Sequence, residues 1–161
     1  IVYTKDKGKY KIKKVNINLY SNKFEAIYDS TFVYTFDSKN LIKIVIDNKV
    51  FRIIKIKEEP KIFELFFNDK ISIYKYYNIN YSRSSRNPMV NRKTNKYIKK
   101  TKYFLFSKNK LTKIKLSKKS FSKFFKSDKV SQKSTLDFIN ENKLSLNKES
   151  DLIKALNFVS K

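Results

Sequence analysis

An α+β fold, mainly an antiparallel β meander or small sandwich with a short helical C-terminal region, is what this sequence predicts, on three observations. Apolar and polar side chains alternate over short runs, as in Val15-Asn16-Ile17-Asn18-Leu19 and Thr112 to Leu116, the period of two of a half-buried strand. Clusters of Asn, Asp and Lys punctuate these runs at close intervals. Past Leu116 the apolar spacing changes to that of a helix stripe. One domain is expected, with residues 1–116 forming the β region, a long basic loop at 78–95, and 117–161 forming a helical part packed on the sheet.

In chain order, Tyr10 to Leu19 reads as the first strand, turned by Ser21-Asn22-Lys23. Phe24 to Tyr28 and Thr31 to Phe36 follow, the latter with Phe32, Tyr34 and Phe36 on one face. Leu41 to Ile46, a three-residue turn at Asp47-Asn48-Lys49, and Val50 to Ile56 form a hairpin that Pro60 closes. Ile62 to Phe67 and Ile71 to Tyr77 repeat the pattern around Asn68-Asp69-Lys70. Gly8 is the single glycine, so Asn and Asp are expected at the turn positions that need positive φ. Asn78 to Asn95 interrupts the pattern: it is polar, holds Pro88 and three of the four arginines, and is too long for a hairpin connection.

The segment from Lys96 to Lys126 joins sheet to helix. Tyr103 to Phe106 and Leu111 to Leu116 read as strands about a tight turn at Ser107 to Lys110. Phe121, Phe124 and Phe125 then fall at i, i+3 and i+4, with Ser117 placed to cap the helix start. A second helix is expected over Ser134 to Asn142, opened by Ser134 and Asp137 at capping-box spacing and burying Leu136 and Ile139. Leu144 and Leu146 bridge to a third over Asn147 to Ser160, striped by Leu152, Ile153, Leu156 and Val159. These stripes are read as core contacts with the sheet.

Composition excludes much chemistry. With 40% hydrophobic residues in 161, the chain can bury a core. It has neither Cys nor His, which removes disulfides, thiolate metal sites, the cysteine nucleophile and the usual neutral-pH base. A lone glycine rules out a Gly-rich phosphate loop or a nucleophile elbow. The carboxylates Glu25, Asp29, Asp37, Asp47, Glu58, Glu59, Glu64 and Asp69 are scattered. Glu58 and Glu59 precede Pro60 and belong to a loop or strand end, and Glu64 in IFELFF reads as an inward carboxylate or, more commonly for such a residue, an edge-strand or paired one. No catalytic residue, metal ligand or cofactor is therefore assigned, and the protein is expected not to be an enzyme.

The net charge of +24 has two readings. Lys, Ile and Asn fill 68 positions, as A/T-rich codons would produce, and lysine-rich surfaces are ordinarily just solvated. Codon bias does not account for the distribution, however, because Asp and Glu codons are A-rich too. Between Asp69 and Asp128 the chain holds 18 Lys and Arg and no carboxylate. The candidate carriers of a function are Arg83, Arg86, Arg92 and Lys93 in the loop, Lys96, Lys99, Lys100 and Lys102 entering the hairpin, and Lys113, Lys115, Lys118 and Lys119 leaving it. Lys113 and Lys115 share a strand face opposite Ile114 and Leu116, and Tyr97 and Tyr103 are read as exposed stacking surfaces. Scarce arginine argues against base-specific reading of nucleic acid, which leaves phosphate contact without sequence preference.

The runs FVYTFDSKNLIKIVIDNKVFRI, FELFFNDKISIYKYY, KIKLSKKSFSKFF and ENKLSLNKESDLIKAL, with Asn87-Pro88-Met89 in a basic loop, cover most of the chain from Tyr10 onward. In these it resembles a family of uncharacterised, lysine-rich exported proteins of Bacteroidota, flavobacterial in type. The resemblance implies a signal peptide and a periplasmic or outer-membrane location, in keeping with a first residue, Ile1, that is not Met. It supplies no activity. The expected function is a non-enzymatic accessory or scaffolding subunit of a cell-envelope assembly, an outer-membrane or secretion complex, whose protein partner is met by the basic loop and hairpin. The alternative is a nonspecific polyanion-binding module, nucleic-acid- or ribosome-associated and then cytoplasmic. No run of 18 apolar residues is present, so no transmembrane helix is expected.

Overall fold

The computed structural model describes residues 1–29, 32–84, 95–125 and 128–160. Among them are eleven strands and three helices: β1 (Val2–Thr4), β2 (Lys9–Tyr10), β3 (Val15–Asn18), β4 (Lys23–Ile27), β5 (Val33–Thr35), β6 (Leu41–Ile46), β7 (Lys49–Ile56), β8 (Glu59–Asn68), β9 (Ser72–Ser82), β10 (Lys96–Ser107), β11 (Lys110–Ile114), α1 (Lys118–Phe125), α2 (Lys129–Glu141) and α3 (Glu149–Val159). The fold is α+β and mostly antiparallel, as the alternation predicts. An eight-stranded sheet runs β11-β10-β9-β8-β7-β6-β1-β2, and β3-β4-β5 form a second, small sheet.

The meander follows from its turns. Ile46 pairs with Lys49, Ile56 with Glu59 and Ser107 with Lys110, so each of these hairpins closes on two residues. Both turn residues have positive φ in every case: Asp47 and Asn48 (47° and 62°), Lys57 and Glu58 (48° and 66°), Lys108 and Asn109 (48° and 58°). This is the primed turn whose twist matches a right-handed strand pair. The loop after Ile46 is thus two residues long, not three, and Lys49 already belongs to β7. Pro60 closes nothing: it lies inside β8 opposite Lys55, and the turn is made before it at Lys57-Glu58. Nor are Asn and Asp alone at positive φ, since Lys7, Lys14, Lys57, Lys108 and Lys143 adopt it too. Gly8 does not; a Cβ there would come within 2.6 Å of Thr4 Oγ1, so its glycine serves close approach instead.

The expected strand from Tyr10 to Leu19 is broken. β2 ends at Tyr10 and β3 starts at Val15, because Lys14 turns left-handed (φ 54°) between them. Asn78 to Ser82 extend β9 rather than opening a loop. α2 begins five residues before expectation, at Lys129, capped by Asp128, whose Oδ1 accepts from Ser131 N at 2.7 Å. Ser134 is therefore an exposed residue inside the helix. Ser117 does cap α1, its Oγ accepting from Ser120 N at 3.3 Å.

The chain divides into two compact units. The first comprises Ile1–Leu65 and Lys75–Lys102. Its core joins Val2, Ile44, Phe51 and Ile62 of the large sheet to Val15, Phe24, Ala26 and Phe36 from the small sheet and its flank. β5 is an edge strand of this unit; Val33, Tyr34 and Thr35 are all exposed and none is charged. The second comprises Phe66–Tyr74 and Tyr103–Lys161. There Ile139, Leu144, Leu146, Leu152, Ala155, Leu156 and Val159 pack with Phe121 on Ile73, Tyr103 and Ile114, so the helices do cover strand residues. Ile153 leaves the predicted stripe for the surface, and Ala155 takes its place in the core.

Candidate functional site

Strand β10 carries the first group of predicted cations. Alternation puts Tyr97, Lys99, Thr101 and Tyr103 on one face and Lys96, Ile98, Lys100 and Lys102 on the other. The four lysines entering the hairpin are therefore divided between two faces. On the first face Lys99 Nζ stands 4.3 Å from the centroid of Tyr77 on β9, and the rings of Tyr97 and Tyr81 lie 5.1 Å apart, 65% and 49% exposed. Lys96 and Lys100 are exposed on the second, beside the exposed Ile98, and Lys102 is half-buried. None of these four lysines forms an ion pair among the described residues.

Arg83 is exposed just beyond β9. Arg86, Arg92 and Lys93 lie outside the described residues. The two ends of that segment meet, since Ser84 N donates to Asn95 Oδ1 at 2.8 Å. A hydrogen bond thus holds the base of the Arg-bearing segment at the open end of β9 and β10.

Tyr103 is not an exposed stacking surface. It is buried, packs edge-on against Phe66 at 5.3 Å and donates from its hydroxyl to Glu149 at 3.4 Å. Its place on the same strand face as Tyr97 looked equivalent in sequence; what separates them is that helices cover the strand at Tyr103. Lys113, Lys115, Lys118 and Lys119 belong to the second unit and are exposed. Lys113 lies on β11 opposite Phe104, while Lys115 is past the strand end, so the two do not form a strand stripe. Lys118 donates to Asn140 Oδ1 at 2.9 Å.

No family model, curated protein or solved structure matches this chain. Function is therefore argued from the residues alone. Among the described residues no three His, Cys, Asp or Glu side chains converge to hold a metal, and no helix is long and apolar enough to cross a membrane.

The first unit also holds a buried charge cluster. Glu64 is inward and paired at once. Its Oε1 accepts from Lys75 Nζ at 3.3 Å and its Oε2 from the Tyr77 hydroxyl at 2.5 Å, with Glu64 and Lys75 only 4% and 2% exposed. Lys75 falls at an apolar register position of Ile73-Tyr74-Lys75-Tyr76-Tyr77, which was the available signal. A 290 Å³ pocket opens above this cluster, lined by Val15, Ile17, Phe51, Glu64, Tyr77 and Lys99 among others.

Proposed function

We propose that this chain is a non-enzymatic accessory subunit of a cell-envelope assembly, docking a protein partner through the open end of β9 and β10. The observation that carries the reading is the composition of that end. Two exposed tyrosines stand side by side with Lys99 on one face, Lys96 and Lys100 are exposed on the other and Arg83 follows β9, in a stretch from 70 to 127 that contains no carboxylate. Tyr and Arg are the residues that anchor protein interfaces, because they combine large contact area with a polar tip. Free lysines around them steer an acidic partner without competing internal ion pairs. The envelope location rests on the resemblance to exported Bacteroidota proteins.

The same tyrosines favour a second reading, a nonspecific polyanion-binding module, since exposed rings flanked by cations stack bases and neutralise phosphates. Gentle purification of the tagged protein from its native cells separates the two. An envelope protein that stays bound in about 0.5 M salt, where counterion-dependent contacts are lost, supports docking; nucleic acid that washes off supports the alternative. The variant Arg83→Glu/Lys96→Glu/Lys100→Glu should release the partner. If the chain is recovered alone, or the triple variant holds its partner as the wild type does, the docking surface is elsewhere.

A further inference from the structure

We propose that the pocket above Glu64 binds a small monocarboxylate with an apolar body, such as a short- or medium-chain fatty acid. This site shares Lys99 with the proposed docking surface, but its argument does not depend on that reading. Its walls are Val15, Ile17 and Leu19 from β3 and its flank, with Ile46 and Phe51 from β6 and β7. At 290 Å³ it lies at the small end of ligand sites, which run from about 300 to about 1,000 Å³. A compact apolar group fits it.

The sign of the ligand follows from which charges are already used. Glu64 spends both carboxylate oxygens on Lys75 and Tyr77. The remaining charged groups of the lining are Lys49, Lys99 and Asp47, all exposed and none in an ion pair among the described residues. Two cations against one carboxylate select an anionic head. Asn16, exposed on the same lining, adds an amide donor.

The buried ion pair then has a positioning role. A charge pair taken out of water is seldom worth more than well-packed apolar residues in its place, so packing alone does not explain it. Lys75 fixes Glu64, Glu64 holds the Tyr77 hydroxyl, and the ring so oriented lies under the Lys99 ammonium at 4.3 Å. The chain of contacts ends by placing one cation at the pocket. Glu64, Lys75 and Tyr77 are positioning residues in this scheme; Lys99 and Lys49 meet the ligand.

Calorimetric titration with octanoate, and with octylammonium as the charge-reversed probe, tests this on the whole protein. Saturable octanoate binding, at least about tenfold tighter than octylammonium, is expected. Lys99→Met should weaken it about tenfold and Ile17→Trp, which fills the pocket, should abolish it, whereas Lys39→Met, an exposed lysine outside the pocket lining, should leave it unchanged. Circular dichroism of each variant establishes that it is folded. The proposal is overturned if octanoate does not saturate, if octylammonium binds as tightly, or if folded Lys99→Met and Ile17→Trp bind as the wild type does.

Discussion

Lys75 is the least exposed charged side chain among the described residues of the first unit, and its removal should be felt across that unit. Lys75→Met leaves Glu64 buried without its ammonium, an arrangement that costs about 3 to 5 kcal/mol when one partner of a buried pair is lost. Glu64→Met/Lys75→Leu removes both charges and should recover most of that loss, although Tyr77 then surrenders its acceptor. Urea unfolding of the two variants measures the difference; a single variant within about 1 kcal/mol of wild type, below the cost of an uncompensated buried charge, would show that water reaches the pair. At the surface, Lys61 sits 2.8 Å from Glu59. Its hydrogen bond and charge hold the Glu59 carboxyl below the usual glutamate value, and Glu59 in turn raises Lys61. The sign follows: the Glu59 contribution is present above its unfolded pKa and is lost as pH falls through the lower folded one, and that of Lys61 is lost only as pH rises through its raised folded value. NMR titration of Glu59 should give a midpoint below that of an unpaired glutamate, and Lys61→Ala should return it to the ordinary range. At this scale the sequence was half legible. IFELFF offered Glu64 as inward or paired, but Lys75 and Tyr77 come from β9, and only the strand pairing brings them to it.

Elements were legible where one local rule decides them and obscure where two compete. Leu41 to Ile46 has the bounds read from the sequence, because the apolar run stops where the turn at Asp47 begins. Around Pro60 the rule that proline ends strands competed with the preference for a two-residue loop, and the loop won, leaving Pro60 inside β8. At α2 the spacing of Ser134 and Asp137 imitated a start, yet Asp128 lies in the extended conformation that a cap needs and makes the bond. The turns themselves are strained. Lys57 and Glu58 both hold the left-handed conformation, which costs a residue with a Cβ roughly 1 to 2 kcal/mol. Glu58→Gly should raise stability by about 1 kcal/mol, since the exposed Lys55–Glu58 pair that it deletes contributes little. A rise in the urea midpoint at unchanged slope is the expected reading; a fall would mean that the turn depends on that ion pair.

Across the whole chain, charge outweighs any single contact. A formal +24 on 161 residues is a self-repulsion that folding must overcome, and it is screened over about 10 Å at 0.1 M salt. Raising salt from about 10 to about 150 mM, where the Debye length shortens to about 8 Å, should therefore raise the melting temperature, whichever partner the protein has. A flat melting temperature would show that the charges are already too far apart to interact. The charge segregation was visible in sequence; its division between two strand faces was not, because the strand was read from Tyr103 whereas β10 already begins at Lys96.

Screening has a second effect, which falls on β5. Its ladder with β4 pairs Ala26 with Tyr34, flanked by the bonds from Phe36 N to Phe24 O and from Tyr28 N to Phe32 O. By the alternation of an antiparallel ladder, the backbone groups of Val33 and Thr35 face away from β4. The outer strands of the large sheet carry lysines, Lys9 on β2 and Lys110 and Lys113 on β11, which discourage pairing with another chain; β5, at an edge of the small sheet, has no such guard. Long-range repulsion between copies takes over that task. Solubility and fold stability should then respond to salt in opposite directions, with light scattering rising as the melting temperature does, and Tyr34→Lys should uncouple them by placing the missing charge on the strand itself.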